Sequence, residues 1–361
     1  MDIYQEILAA LQTDERVMLA TIISASGSTP AAAFSKMLVK QNGIVSIGTV
    51  GGGCMEGDVL LHANRLLQTG AAEILTFHLN EDDVEHGLIC GGSLDVLIEP
   101  ITRKQLQFFT ELQSIRNEGS DCVVVTALNR NGTIERKEII HTELHVPSHF
   151  SSEAAEVIPK SFKRQETFRL KTENGELIIE PVVGTPSLIT FGGGHVSKYI
   201  SRTAAMAGFR VTIIDDREKF ANKLRFPEAV QTIAADFLEA FSQLTITSST
   251  YIVIVTRGHR YDEEILERAV ATPAKYIGMI GSKRKVIKTF EYLAERDIPI
   301  ESMKRVHAPI GIEIGAVTAE EIGVSVVAEL INARRGKHGT LHHKSDDMKD
   351  IFQLLQQRIT A

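Results

Sequence analysis

Cysteine is scarce in this 361-residue chain. Cys54, Cys90 and Cys122 are too few and too widely spaced for a disulfide framework or a Cys-x-x-Cys metal site, so they read as thiols. A basic excess is also missing. The formal net charge of −7, with no stripe of Lys and Arg, argues against a nucleic-acid-binding surface. No uninterrupted apolar segment approaches the about 18 residues needed to cross a bilayer, and the opening MDIYQEILAALQTDER carries acids where a secretory leader carries bases. The expectation is a cytoplasmic protein without membrane insertion. Internal repeats are lacking too. What remains is an ordinary globular composition, 43% hydrophobic and 24% charged, over a length that accommodates two or three domains.

The most informative stretch is Ser187–Arg217, SLITFGGGHVSKYISRTAAMAGFRVTIIDDR. An apolar run, three glycines, a helical segment and a second apolar run ending in two aspartates spell strand, tight turn, helix, strand. Gly192 and Gly194, with Gly193 between them, take the first two glycine positions of the dinucleotide fingerprint. Their missing Cβ atoms permit the turn and let backbone amides approach a pyrophosphate. Ser197 stands where the third small residue is expected, which sets helix and strand slightly further apart. The helix start at His195 presents unpaired N–H groups and partial positive charge to an anion. Asp215 falls about twenty residues beyond the glycines, where a ribose-binding acid belongs. A Rossmann-type unit is predicted, holding a dinucleotide, another phosphate-bearing ligand or none.

Beyond it, strands at Thr232–Ala235, Tyr251–Thr256 and Tyr276–Ile280 alternate with helices at Glu263–Val270 and Lys283–Glu295, which predicts a parallel sheet covered on both faces. Thr318 and Glu321 match a capping box that starts the last long helix, with Gly336 as its stop, and a short helix is expected over Met348–Ile359. The first half reads differently. Helices are expected at Asp2–Gln12, Met55–Gln68 and Lys104–Asn117, and strands at Val17–Ser24, Lys36–Lys40, Ile44–Val50, Glu73–Leu79 and Ser93–Ile101. Two further hairpins pair Cys122–Leu128 with Thr133–Ile140 and Thr167–Lys171 with Glu176–Val183. Thr142–Arg164 has no clear period and reads as a partly ordered connection. With Gly184-Thr185-Pro186 as the boundary, the α/β chain divides into residues 1–185, an α+β domain with mixed or antiparallel hairpins, and residues 186–361, a Rossmann-like parallel-sheet domain with C-terminal helices.

Ligands of open α/β sheets sit beyond the carboxyl ends of the strands, so the loops leaving those ends matter most. In Thr256-Arg257-Gly258-His259, Arg257 suits a phosphate or carboxylate and His259 suits proton transfer near neutrality. The plainer reading pairs Arg257 with a local acid. Gly281-Ser282-Lys283 opens a helix with cations, as an anion seat or as an ordinary Ser282 cap. Ala308–Gly315, APIGIEIG, either covers a bound ring or simply packs. In the first half, Gly51-Gly52-Gly53-Cys54 meets a helix N-terminus, whose dipole favours a thiolate, making Cys54 a candidate nucleophile or soft ligand. Cys90-Gly91-Gly92, ahead of a strand, supplies a second candidate functional thiol. Cys122, in the run CVVV, reads as core. His338, His342 and His343 offer imidazoles to a transition metal, although a solvated tail is the plainer reading.

Gly48-Thr49-Val50-Gly51-Gly52-Gly53-Cys54-Met55-Glu56-Gly57, Gly87-Leu88-Ile89-Cys90-Gly91-Gly92 running into Leu97-Ile98-Glu99-Pro100, FGGGHVS, IDDR, TRGHRYDEEIL, YIGMIGSKRK and API-GIEIGAVTAEEIGVSVVAELI together resemble the XdhC/CoxI family, accessory proteins of xanthine dehydrogenase and related molybdenum hydroxylases. The resemblance covers nearly the whole chain except Lys104–Pro186. It implies a maturation factor without turnover of its own. Such a protein binds molybdenum cofactor (molybdopterin), protects it while a partner cysteine desulfurase exchanges an oxo ligand for sulfur, and delivers it to apo xanthine dehydrogenase or a related molybdenum hydroxylase. Cys54 and Cys90 with their glycines become the candidate cofactor and metal contacts, since dithiolene, phosphate and metal suit thiols and backbone amides. The implied guest is met from both halves, with Arg257, Lys283 and Arg284 beside the glycines of the Rossmann unit. Two positions depart from the family pattern: Ser197, and Gly87-Leu88-Ile89 where Gly-Leu-Gly is frequent. The competing reading is an NAD(P)-dependent oxidoreductase with Asp215 on the ribose and His259 as acid/base, which leaves both cysteine loops without a role. Edge strands of the apolar hairpins need covering, and a homodimer is the expected cover.

Overall fold

The computed structural model describes residues 2–27, 35–40, 45–79, 92–142, 145–336 and 342–348, apart from the side chains of His259 and Arg260. The chain divides into two compact units, Met1–Gly184 and Thr185–Ala361.

The N-terminal unit contains α1 (Ile3–Thr13), β1 (Arg16–Ser26), β2 (Lys36–Lys40), β3 (Val45–Gly48), α2 (Gly53–Thr69), β4 (Glu73–Leu79), β5 (Gly92–Thr102), α3 (Leu106–Asn117), β6 (Cys122–Asn129), β7 (Ile134–Ile140), α4 (Ser152–Arg164), β8 (Phe168–Thr172) and β9 (Gly175–Val182). Its two antiparallel sheets have the orders β3-β2-β1-β5-β4 and β7-β6-β9-β8. The sequence of β1, RVMLATIISAS, is apolar almost throughout because both faces of this central strand are covered. Met18, Ala20 and Ile22 pack with Val59, Ala63 and Leu66 of α2. Val17 and Leu19, on the opposite face, join α1, α3 and the second sheet through Ile7, Phe109 and Val124. Burying a side chain of this size stabilises the fold by about 1.5–3 kcal/mol.

The stretch read as a partly ordered connection is corrected by the structure, for Ser152–Arg164 is a helix. Ser151 caps it by accepting the Ala154 N–H, and Ala154, Ile158 and Ser161 form its buried face. Pro159 interrupts the pattern and the outward positions are charged, so few residues carry the period.

The Rossmann unit runs β10 (Ser187–Phe191), α5 (His195–Met206), β11 (Arg210–Asp215), β12 (Gln231–Ala234), α6 (Phe237–Ala240), β13 (Thr250–Ile254), α7 (His259–Val270), β14 (Tyr276–Met279), α8 (Lys283–Ala294), α9 (Ile300–Met303), β15 (Val306–His307) and α10 (Ala319–Arg335). All six strands are parallel, in the order β12-β11-β10-β13-β14-β15. One face packs Phe191, Ile252 and Ile254 against Ile265 of α7 and Phe290 of α8. The other packs Leu188, Tyr251 and Val253 against Ile200 of α5 and Leu330 of α10. α7 begins at His259, a turn earlier than expected, and the two-residue strand β15 is too short to show a period. The capping box of α10 forms, with the Glu321 N–H on Thr318 Oγ1 at 3.3 Å and the Thr318 N–H on Glu321 Oε2 at 2.9 Å. Of the expected terminal helix Met348–Ile359, all but Met348 lies outside the described residues, and Lys344–Met348 forms a short 3-10 turn. Among the described residues no helix is long and apolar enough to cross a membrane.

Candidate functional site

The sheet order turns back between β10 and β13, so the loops leaving their carboxyl ends border the switch point of the Rossmann unit. In the β10 loop, Gly192 has φ 108°, and a Cβ there would lie 2.2 Å from the Val255 carbonyl oxygen. One at Gly193 would lie 2.1 Å from the Phe220 carbonyl oxygen. Gly194 differs, since a Cβ there meets nothing within 4 Å. It is also the N-cap of α5, and no side chain caps that helix. The first amides of α5 therefore have no capping side chain, and at such a helix start the dipole favours an anion. Arg225 clamps the loop by donating to the Gly193 and Gly194 carbonyls at 2.8 and 3.0 Å. At the start of α5, His195 stands edge-on to Tyr199, their ring centres 5.4 Å apart.

Asp215, expected beside a ribose, is 1% exposed. Its Oδ2 accepts the Gly193 N–H at 2.8 Å and Arg217 Nη2 at 3.0 Å, while Oδ1 accepts Arg217 Nε at 2.8 Å. Burial raises the carboxyl pKa, but the Arg217 guanidinium and the Gly193 amide outweigh it and hold the group below the usual carboxylate range. Both oxygens are thus engaged within the loop. Ser197 is fully buried in α5, its hydroxyl without a hydrogen-bond partner among the described residues.

At the β13 loop, Arg257 Nη2 donates to Asp216 Oδ2 at 2.7 Å with the guanidinium half-exposed, which matches the plainer reading. His259 opens α7; its side chain lies outside the described residues. Thr256 donates to Asp262 Oδ1 at 2.6 Å, and this fully buried aspartate pairs with Lys285. Desolvation raises the Asp262 pKa in spite of Lys285 and Thr256. Ser282 caps α8 by accepting the Lys285 N–H at 3.3 Å, so the α8 start, with Gly281 before it and Lys283 as its first residue, is already closed. Along the β15 loop Ala308, Ile310 and Ile312 are buried, whereas Ile314 and Val317 are exposed.

In the N-terminal unit, Gly51, Gly52 and Gly53 have φ 131°, 75° and 60°, three successive left-handed residues. A Cβ on Gly52 or Gly53 meets nothing within 4 Å, so backbone conformation rather than crowding requires glycine there. Glu56 braces the turn by accepting the Gly52 N–H at 3.1 Å and the Thr49 hydroxyl. No side chain caps α2, and Cys54, its second residue, is exposed. Cys122 is the opposite case: burial and the nearby Glu180 carboxylate push its thiol up to about 12, an inert core group. Cys90 and Gly91 lie outside the described residues, and Gly92 begins β5.

Sequence reading misses two features of the Rossmann unit: the buried Asp262, and the meeting of His307 and Glu329 with His343, which is largely buried rather than part of a solvated tail. Glu329 left one signal, an acid set among Val326, Val327 and Leu330 on the apolar face of α10.

A parallel sheet with a glycine corner opening on an uncapped helix, joined to an antiparallel unit with a glycine–cysteine corner, defines a two-unit Rossmann-class protein. A sequence profile described as the XdhC Rossmann domain matches residues 188–330, and one described as the XdhC and CoxI family matches residues 10–78. The chain belongs to the XdhC/CoxI family. It is 27% identical over 332 residues to a Bacillus subtilis protein described as a probable xanthine dehydrogenase subunit, covering 91% of this chain and 96% of that one. It is 32% identical over 160 residues to "Uncharacterized protein YqeB" of Escherichia coli, covering 44% of this chain and 29% of that one. A crystal structure of a Bacillus halodurans protein described as a xanthine dehydrogenase matches with a TM-score of 0.77 and 26% identity, over 93% of this chain and 97% of that one.

Proposed function

We propose that this protein is a maturation factor for a xanthine dehydrogenase or a related molybdenum hydroxylase, and that its cargo is molybdenum cofactor. The observation that carries the reading is the corner Gly51–Cys54, where three successive glycines at positive φ lead into an exposed thiol at a helix start that no side chain caps. The molybdenum of the cofactor already takes sulfur ligands from the dithiolene, so a thiol suits it, and the phosphate suits backbone amides at a helix start. The start of α5 after Gly194, which has no side-chain cap, suits a phosphate in the same way. Family membership and two relatives named for xanthine dehydrogenase support the assignment of the hydroxylase partner. Sulfuration of the cargo by a cysteine desulfurase belongs to the same reading, with Cys54 and Cys90 as the thiols that shield the metal.

The test is gel filtration of the full chain mixed with molybdenum cofactor released from a molybdoenzyme, read by molybdenum content and pterin fluorescence. Wild type is expected to carry both signals, and Cys54→Ala to lose most of them. No co-elution, with Cys54→Ala indistinguishable from wild type, rejects the reading. Saturable NADH binding in the same samples would instead favour the oxidoreductase. Against that alternative stands Asp215, whose oxygens are held by Arg217 and Gly193.

A further inference from the structure

At the β15 edge of the Rossmann sheet, Glu329 of α10 is completely buried, yet it is a carboxylate. Each of its oxygens has a fixed donor: Tyr276 donates to Oε1 at 2.8 Å and the Gly311 N–H to Oε2 at 2.5 Å. Two imidazoles converge on the same Oε1, His307 Nδ1 at 3.0 Å and His343 Nδ1 at 3.7 Å. The three residues offer ligand atoms that all lie within 4.8 Å of one another. A simple ion pair needs one imidazole, and here the second is left over. His343 Nδ1 is buried and makes no hydrogen bond among the described residues. We propose that His307, Glu329 and His343 form a binding site for a divalent transition metal, with Zn2+ as the best-matched ion.

Distance, orientation and donor chemistry each support the assignment. Ligand atoms about 2.0–2.1 Å from a tetrahedral zinc ion lie about 3.3 Å from one another, and the two spacings to Oε1, 3.0 and 3.7 Å, bracket that value. Each ligand also has a neighbour that orients it, Tyr276 serving two of the three. Tyr276 and Gly311 aim the carboxylate, and the Tyr276 ring stacks on His307 with centres 4.5 Å apart. The Asn332 amide lies 3.2 Å from His343 Nε2. The amide atom placed there is Nδ2; turned end for end, which keeps the same shape, the amide would present its oxygen to an Nε2 proton and leave the Nδ1 lone pair facing the site. The backbone holds His343 in place independently of its ring: the Lys344 N–H donates to the Gly311 carbonyl at 3.0 Å, and the Glu313 N–H to the His342 carbonyl at 3.0 Å. Two imidazoles and one carboxylate suit zinc and its neighbours rather than Mg2+ or Ca2+, which favour all-oxygen shells. Three protein ligands leave a fourth position to water. Bound metal would pin residues 342–348 to the loop that follows β15.

The test uses the full chain stripped of metal, in a Cys54→Ser/Cys90→Ser background that removes competing thiolates, titrated with Co2+ and then Zn2+. Uptake of about one equivalent is expected, with the visible bands of tetrahedral Co2+ displaced by Zn2+ and untouched by excess Mg2+ or Ca2+. His343→Ala and His307→Ala should abolish those bands, and Asn332→Ala should weaken binding by about tenfold or more. His338→Ala and His342→Ala should bind as the parent does. Metal-free thermal melts of His343→Ala that match the parent separate lost ligation from lost folding; a variant that melts earlier is replaced by His343→Gln, judged in the same way. Absence of saturable uptake, or unchanged Co2+ spectra in both His343 variants, overturns the site.

Discussion

The two glycine corners, Gly51–Gly53 and Gly192–Gly194, look alike as sequence and differ as structures. In the Rossmann corner the first two glycines are required by neighbouring backbone, and only the third is open. In the N-terminal corner Gly52, at φ 75° and ψ 175°, lies in a region that only glycine occupies comfortably, with empty space above it. Close packing explains the one and backbone conformation the other. Runs of glycine therefore carry two distinct messages, a tight seam or a backbone path closed to other residues, and Gly192, crowded and at φ 108°, combines both.

Substitution separates these messages. The largest effect is expected for Gly193→Ala, where the new methyl meets the Phe220 carbonyl; the Rossmann unit should lose about 3 kcal/mol or more in urea unfolding. Next comes Arg217→Met, which leaves the buried Asp215 with amide donors alone and should cost about 2–4 kcal/mol at pH 7. The same variant changes the pH dependence. Asp215 and Glu329 are both held below the usual carboxylate range in the folded chain: burial opposes their ionisation, but Arg217 and Gly193 outweigh it at Asp215, as His307 and Tyr276 do at Glu329. Their stabilisation is therefore complete above about pH 5 and disappears as pH falls through the unfolded values of about 3.9 and 4.3 towards the folded ones. Arg217→Met should flatten that acid-side slope, measured as unfolding midpoints between pH 3 and 6; an unchanged slope would deny Asp215 its part. Gly52→Ala meets no neighbour and should cost only the backbone strain of about 1–2 kcal/mol. A penalty equal to that of Gly193→Ala would erase the contrast between the corners. Smallest is Arg257→Ala, whose half-exposed pair with Asp216 should change stability by less than about 1 kcal/mol.

Long periodic elements and glycine corners were legible in the sequence, because each is specified by residues close together in the chain. The strand–turn–helix at Ser187–Met206 and the capping box at Thr318 fall where they were expected. α4 was hidden by Pro159 and a charged exterior, and β15 by its two-residue length. Side-chain partnerships were the least legible. Arg217 sits two residues from Asp215 in any reading, yet only the fold shows that it closes on that carboxylate rather than leaving it to a ligand. Asp262 and Glu329 gain their meaning from Lys285 and from His307 and His343, partners that no local spacing connects.

Gly323 stands where α10 crosses α5, and a Cβ there would come within 2.8 Å of Tyr199 Cβ. A single absent methyl thus lets the two helices lie flush, with Glu320 within reach of the Tyr199 hydroxyl near the start of α5. Any larger residue at 323 must push the two helices apart at that crossing, and with them the Glu320–Tyr199 pairing that ties the first turn of α10 to α5.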